Sequence, residues 1–323
     1  MRAPFQLDLH LPNFNYPDVP SEVLFERLVE IAQAAEESGF SSVSVMDHLH
    51  QIGAIGPPEN YMFEGNTILA ALAARTSTIH LGLLVGGVTY RNPAIFAKTT
   101  TGLDIISGGR AIFGIGAAWN EEESDAYDIP FPSLKERFER LEEALQIARM
   151  MFTQERATFA GKHYRVDGAF NNPKPLRGDI PILIGGSGER KTLRMVAQYA
   201  DGSNLFGDVE RVKHLLGVLE GHCETFDRDP GEITKTRMGT LYISESHEEA
   251  EAKFAQALAG VADVERARLQ AFVGDPDEVS DQVQRYLDAG LDGVTLTLPD
   301  VWNLDTVALA GQTLGALIGS RAT

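Results

Sequence analysis

The feature that most constrains this chain is an alternation that runs along its whole length. Short apolar stretches at residues 5–11, within 41–51, and at 80–85, 111–114, 181–185, 202–206, 235–243 and 293–298 alternate with longer segments whose apolar residues recur three and four apart. Short continuous apolar runs suit strands buried on both faces, and helical connections between such strands make them parallel. Eight strands is the number that closes a barrel, so the expected fold is α/β, a (β/α)8 TIM barrel with insertion segments. Pattern alone leaves an open doubly wound sheet as the competing arrangement.

The helical segments carry their own punctuation. Leu24, Leu28, Ile31, Ala32 and Ala35 share one face behind Ser21, the expected N-cap, and Gly39 is the stop. A helix passes through Ala70 and Ala74; Asn92-Pro93 opens one that runs to about residue 106. Ser133 and Glu136 read as a capping box for a helix to residue 151, and residues 119–127 before it read as a polar loop. Further helices are expected over 188–199, 209–225, 248–259, 277–289 and 304–318. The segment around 156–168, with Gly161-Lys162 near its centre, reads as a β-hairpin insertion, and the whole of 1–323 as a single domain.

Composition narrows the class of function. A chain of 323 residues with 43% hydrophobic content can fill the core of such a barrel. Its net charge of -18 repels polyanions, which argues against nucleic acid or an anionic membrane and favours a small-molecule substrate. The single cysteine, Cys223, cannot form an internal disulfide, which suits a reducing cytoplasm. No basic flank leads into an apolar N-terminal segment, and no stretch approaches the ~20 apolar residues of a membrane span, so neither signal peptide nor anchor is expected.

In a barrel of this kind the loops after the strands hold the ligand. The second strand ends abruptly in Asp47 and His48, which places both at the mouth. His48 can exchange a proton near neutrality and is the candidate acid or base, with Asp47 beside it. The fifth strand ends in Gly185, Gly186, Ser187 and Gly188 before a helix. Glycines there let backbone N–H groups approach an anion, and Arg190 and Lys191 add positive charge, so the turn reads as a phosphate cradle. It matches neither the P-loop spacing nor the dinucleotide fingerprint.

Other chemistries find less support. His48 and His50 are spaced to share a strand face, but strands four to six end in glycine, alanine, serine, asparagine and aromatics, so no metal site is expected. No lysine stands at a strand mouth for a Schiff base, and no serine elbow is present. Glu121, Glu122, Glu123 and Asp125 read as carboxylates serving a helix dipole, Arg110 and Asp104 as a structural ion pair, and Trp119 as either core or the wall of a ring-binding site.

Several segments in order carry a family resemblance: Val45-Met-Asp-His-Leu, Thr89-Tyr-Arg-Asn-Pro, Leu103-Asp-Ile-Ile-Ser-Gly-Gly-Arg, Gly114-Ile-Gly-Ala-Ala-Trp and Pro181-Ile-Leu-Ile-Gly-Gly-Ser-Gly. From residue 5 to about 298 the chain resembles the bacterial luciferase-like superfamily, and more narrowly its coenzyme F420-dependent oxidoreductases of actinobacterial type. The resemblance implies a deazaflavin whose ring lies across the strand ends, with Asp47 and His48 matching the family's Asp-His pair and His48 as proton donor or acceptor. It implies that Gly185, Gly186, Ser187 and Gly188, with Arg190, hold the cofactor's phosphate. It also implies a non-proline cis peptide behind the ring at the end of strand three, which by position is Leu84-Val85, next to Gly86.

The function implied is hydride transfer between coenzyme F420 and a small organic substrate. The alternative on the same scaffold is an FMN-dependent two-component monooxygenase, supplied with reduced flavin by a partner reductase; a non-catalytic flavin- or deazaflavin-binding protein is the third. A homodimer is implied as well. Two departures stand out. Trp119 occupies the place read as that of a glutamate in some deazaflavin sugar-phosphate dehydrogenases, which argues against a second carboxylate acid and a phosphorylated sugar. Ser44 stands where strand two often has tryptophan.

Overall fold

A computed structural model describes residues 4–258 and 263–319. Eight parallel strands close on themselves: Leu7–Leu11, Ser42–Val45, His80–Leu83, Ala111–Gly116, Ile182–Gly185, Gly202–Leu205, Thr234–Ile243 and Gly293–Thr297, the last pairing back onto the first. Closure removes the open doubly wound sheet from consideration. The strands lie on the expected apolar runs, some shortened at one end and the fourth and seventh extended, to Gly116 and from Thr234. The Ala200–Asp201 link between the helix Thr192–Tyr199 and the sixth strand is short enough to keep that helix on the outside of the barrel.

The strand period sorts the side chains. Leu7, Leu9, Val43, Val45 and Leu81 belong to the large core shared with the helices, against Leu28, Ile31 and Leu72. The alternate positions Asp8, Ser42 and Ser44 point the other way and join across the interior, where Ser42 Oγ donates to Asp8 Oδ1 at 2.6 Å and Ser44 Oγ to Asp8 Oδ2 at 2.6 Å. A one-residue slip in register would exchange these two sets, so the aligned pairs Leu9 with Val43 and Val43 with Leu81 fix the polar interior as well as the apolar exterior. Below the polar layer, Phe5, Ile112 and Leu183 form a separate apolar plug.

The insertion is a β-hairpin, Arg156–Ala160 paired antiparallel with Arg165–Phe170 and apart from the barrel sheet. Several local expectations are corrected. Residues 119–127 are not all loop: Asn120 accepts from the Glu123 N–H and caps a short helix, Glu121–Ala126. Ser21 is the first helical residue and not the cap; Pro20 stands in the capping position with no side-chain bond.

At Ser133 the box is half formed. Its hydroxyl accepts from the Glu136 N–H, but the Glu136 carboxylate turns to Arg140 at 2.7 Å. Arg110 and Asp104 do not pair. The guanidinium is spent on the carbonyls of Ser107, Ala73, Thr76 and Ile79, and Asp104 accepts from the Leu176 N–H at 2.8 Å. A short strand, Ala271–Gly274, adds alongside Thr234–Ile243 and was not anticipated. The helix expected over 248–259 runs His247–Ala257; Ala259 lies outside the described residues. Among the described residues no helix is long and apolar enough to cross a membrane.

Candidate active site

The strand ends enclose a cavity of about 600 Å³ at the mouth of the barrel, within the size range of small-molecule and cofactor sites. Asp47, His48, Leu84, Val85, Gly86, Gly185, Gly186 and Gly188 all line it, so most of the residues singled out in the sequence converge there. Ser187 and Arg190 are not among its lining residues; the Ser187 hydroxyl accepts from the Phe206 N–H at 2.9 Å. The remaining wall is largely apolar, with Met46, Ile52, Phe138 and Met238 inside and Trp119, Leu134 and Phe206 at the rim.

His48 is held from behind. Its Nδ1 lies 2.8 Å from Oε2 of Glu123, a carboxylate with no solvent exposure. The same carboxylate accepts the Tyr90 hydroxyl, the Leu49 N–H and, at 3.2 Å, the His50 N–H. Burial alone would raise the Glu123 pKa. The bonds from His48, Tyr90 and Leu49 outweigh that and hold it down at about 2. An ionised carboxylate can only accept, so His48 Nδ1 carries a hydrogen and Nε2 is the atom left for a ligand. Trp119 meets the imidazole edge-on, with ring centroids 5.3 Å apart, as part of the wall and not of the core.

Asp47, which lines the cavity beside His48, is held in its own way. Its carboxylate is gripped by Arg91 at 2.5 and 2.8 Å and accepts the Gly87 N–H at 3.0 Å. This bidentate pair joins strand two to the segment after strand three and so fixes the backbone on which His48 sits. Arg91 also reaches Glu64 at 2.9 Å. His50 is turned away, stacked on Tyr127 with its Nδ1 toward the Gln51 carbonyl, and among the described residues no three His, Cys, Asp or Glu side chains group to hold a metal ion.

The Leu84-Val85 peptide is cis, and Val85 packs against both neighbouring strand ends. A Cβ on Gly185 would meet Val85 Cγ2 at 2.9 Å, and one on Gly116 would meet the same atom at 2.8 Å. Gly186 has φ +115°, a conformation that favours glycine. At Gly188 a Cβ would meet Thr192 Oγ1 at 2.8 Å. The helix Thr192–Tyr199 that follows has no side-chain cap, and its Leu193 N–H donates back to the Gly188 carbonyl at 3.0 Å. The turn is thus a backbone-lined cradle. Glu189 next to it faces outward, paired with Arg211 at 2.7 Å.

Sequence reasoning missed Glu123, Tyr90 and Arg91. Glu123 had one legible signal, an acidic residue three positions after an asparagine that can cap a helix, but nothing in one dimension aims its carboxylate at His48.

The chain is similar to known proteins along most of its length. It is 30% identical over 308 residues to the F420-dependent glucose-6-phosphate dehydrogenase of Nocardia farcinica, covering 84% of this chain and 88% of that one. Its fold is similar to that of an F420-dependent secondary alcohol dehydrogenase solved with an F420-acetone adduct, with a TM-score of 0.81 at 20% identity, covering 98% of this chain and 99% of that one. It is equally similar in fold to the EDTA monooxygenase of Chelativorans sp. BNC1, with a TM-score of 0.83 at 16% identity, covering 98% and 94%. The model of the Luciferase-like monooxygenase family matches residues 6–271, and the chain belongs to that family.

Proposed function

We propose that this protein is a coenzyme F420-dependent oxidoreductase that moves a hydride between the cofactor and a small uncharged organic molecule, with His48 as the proton donor or acceptor. The observation that carries the reading is the meeting, in one cavity, of a histidine with a single free nitrogen and a glycine cradle that a side chain would fill. The actinobacterial relatives, F420-dependent by name, support the choice of cofactor.

The residues present fit a deazaflavin. Leu84, Val85 and Gly86 would back the ring, and the turn of Gly185, Gly186 and Gly188 would take the phosphate against its backbone, with the Gly186 N–H spent on the Asn204 carbonyl at 3.3 Å and Ser187 and Arg190 beside it. Such a cofactor supplies a two-electron hydride carrier. The chain's own contribution is positional and protonic. Asp47 and Arg91 fix the strand end, Glu123 commits His48 Nδ1–H, and His48 Nε2 takes or gives the proton that accompanies the hydride. The apolar wall keeps water from the reacting atoms.

The test is a fluorescence and calorimetric titration of the purified protein with F420 and, separately, with oxidised and anaerobically reduced FMN. Micromolar or tighter binding of F420 with weaker FMN is the expected result. Gly186→Val should weaken that affinity by at least about tenfold, since the added side chain both strains a positive φ and crowds the cradle. Binding of reduced FMN alone would refute the F420 reading, and unchanged affinity in a folded Gly186→Val variant would move the phosphate elsewhere.

A further inference from the structure

The cavity holds a second histidine that the reading above leaves without a role. His10 stands at the mouth end of the first strand and lines the cavity, with its Nδ1 2.9 Å from Ser44 Oγ. The single hydrogen of the Ser44 hydroxyl is committed to Asp8 Oδ2 at 2.6 Å. Ser44 therefore accepts from His10, which fixes the hydrogen of the imidazole on Nδ1 and leaves Nε2 as a bare lone pair. The ring's hydrogen bonds run to Ser44, on the strand behind it, and His10 lines the cavity, which leaves Nε2 as the nitrogen for a ligand. Burial and the charge that His48 can carry hold the His10 pKa down at about 3, so this nitrogen stays an acceptor at ordinary pH.

The other polar side chains of the wall point the same way. His48 has given its Nδ1–H to Glu123, the Asp47 carboxylate is an acceptor already held by Arg91, and Asn204 has spent both amide hydrogens, on Thr236 at 2.9 Å and Thr295 at 3.0 Å. No lysine or arginine side chain is among the lining residues. A phosphate or carboxylate on a substrate would find no countercharge inside the cavity, whereas a hydroxyl would find acceptors.

We propose that His10 determines specificity, its Nε2 accepting a hydrogen bond from a hydroxyl of an uncharged, largely apolar substrate held beside His48. The proposal rests on the cavity being the site of hydride transfer and adds the class of molecule it takes. A site built to bond a hydroxyl rejects an analogue that lacks one, because the buried acceptor is then left unpaired.

The test uses matched probes, cyclohexanol, fluorocyclohexane and cyclohexyl phosphate, titrated calorimetrically into F420-loaded protein. The alcohol should bind at least about tenfold more tightly than either of the others. His10→Leu should abolish the preference over the fluoride, and His10→Gln, which keeps an acceptor, should restore part of it. The ¹⁵N spectrum of histidine-labelled wild-type protein needs no variant and should show His10 with its hydrogen on Nδ1. A hydrogen on Nε2, tighter binding of the phosphate, no discrimination, or no binding by any probe would overturn the proposal. If F420 itself fails to bind, the hydride-transfer reading falls, while the same probes and spectrum applied to the cofactor-free protein still decide the role of His10.

Discussion

The two histidines of the cavity, His48 and His10, are built on the same plan and differ in one link. Each donates through Nδ1 to an oxygen behind it and turns Nε2 to the ligand space. Behind His48 stands the carboxylate of Glu123 in direct contact; behind His10 stands the neutral hydroxyl of Ser44, with the Asp8 carboxylate one bond further back. The two carboxylates are also set differently. Glu123, although buried, is pulled down to about 2 by the groups bonded to it, whereas burial of Asp8 outweighs its bonds from Ser42, Ser44 and Thr295 and lifts it to about 6. A histidine that must carry charge for part of a cycle needs the first arrangement, since the carboxylate steadies the imidazolium. A histidine that must stay neutral is served by the second.

The sharpest way to break this contrast is His48→Ala. Turnover should fall by about two to four orders of magnitude, the range usual for a general acid or base, with F420 affinity retained. Near-normal turnover would remove His48 from the mechanism, and the absence of any measurable activity to lose would favour a binding protein.

The next effect lies in stability and belongs to Asp8. Its pKa in the folded protein is raised from the usual 3.8 to about 6, so the folded state holds this proton more tightly than the unfolded chain does. Folding is then least penalised below about pH 4 and loses stability as pH rises through 6, by about 3 kcal/mol in total. Asp8→Asn removes that dependence. Urea unfolding at pH 4.5 and pH 7 should show the wild type losing ground to the variant across the interval, and parallel behaviour of the two proteins would refute the assignment.

The smallest effect sharpens the comparison most. Glu123→Gln keeps the size of the side chain and its acceptor oxygen but removes the charge that steadies His48. Turnover should drop by about tenfold with F420 affinity unchanged, and the pH profile of activity should shift. The sign for stability is opposite to that of Asp8. The Glu123 pKa is depressed from 4.5 to about 2, so its contribution is present above about pH 4.5 and is lost as pH falls toward 2. The variant should therefore lose less stability than the wild type on acidification, and an unshifted activity profile would leave Glu123 a merely structural carboxylate.

The barrel was legible because its signal is periodic. Eight apolar runs separated by helical patterns admit few closures, and both the hairpin at Arg156–Ala160 and Arg165–Phe170 and the glycine turn are marked by residues whose backbone demands are local. The mouth position of Asp47 and His48 followed from strand direction alone. What escaped was set by side-chain direction in three dimensions. Glu123 and its neighbours Glu121 and Glu122 look alike in sequence, all in the first turn of one helix, and only Glu123 is turned inward to His48. Nothing in the sequence marks Arg91, 44 positions away, as the residue that holds the Asp47 carboxylate. The pairing read for Arg110 and Asp104 failed for a similar reason, since free carbonyls at a chain turn satisfied the guanidinium closer at hand. Ser44 read as a gap where a larger ring often stands, and it proves to be the hydroxyl that sets the state of His10.

The most direct test of hydride chemistry at this site is anaerobic. Protein loaded with oxidised F420 is mixed with simple uncharged alcohols while the deazaflavin absorbance is followed, and a parallel reaction with reduced FMN is monitored for oxygen uptake. Bleaching of F420 without oxygen, slowed by at least about a hundredfold in His48→Ala, is the predicted result. Oxygen consumption with reduced FMN, and no bleaching of F420 by any alcohol, would contradict it.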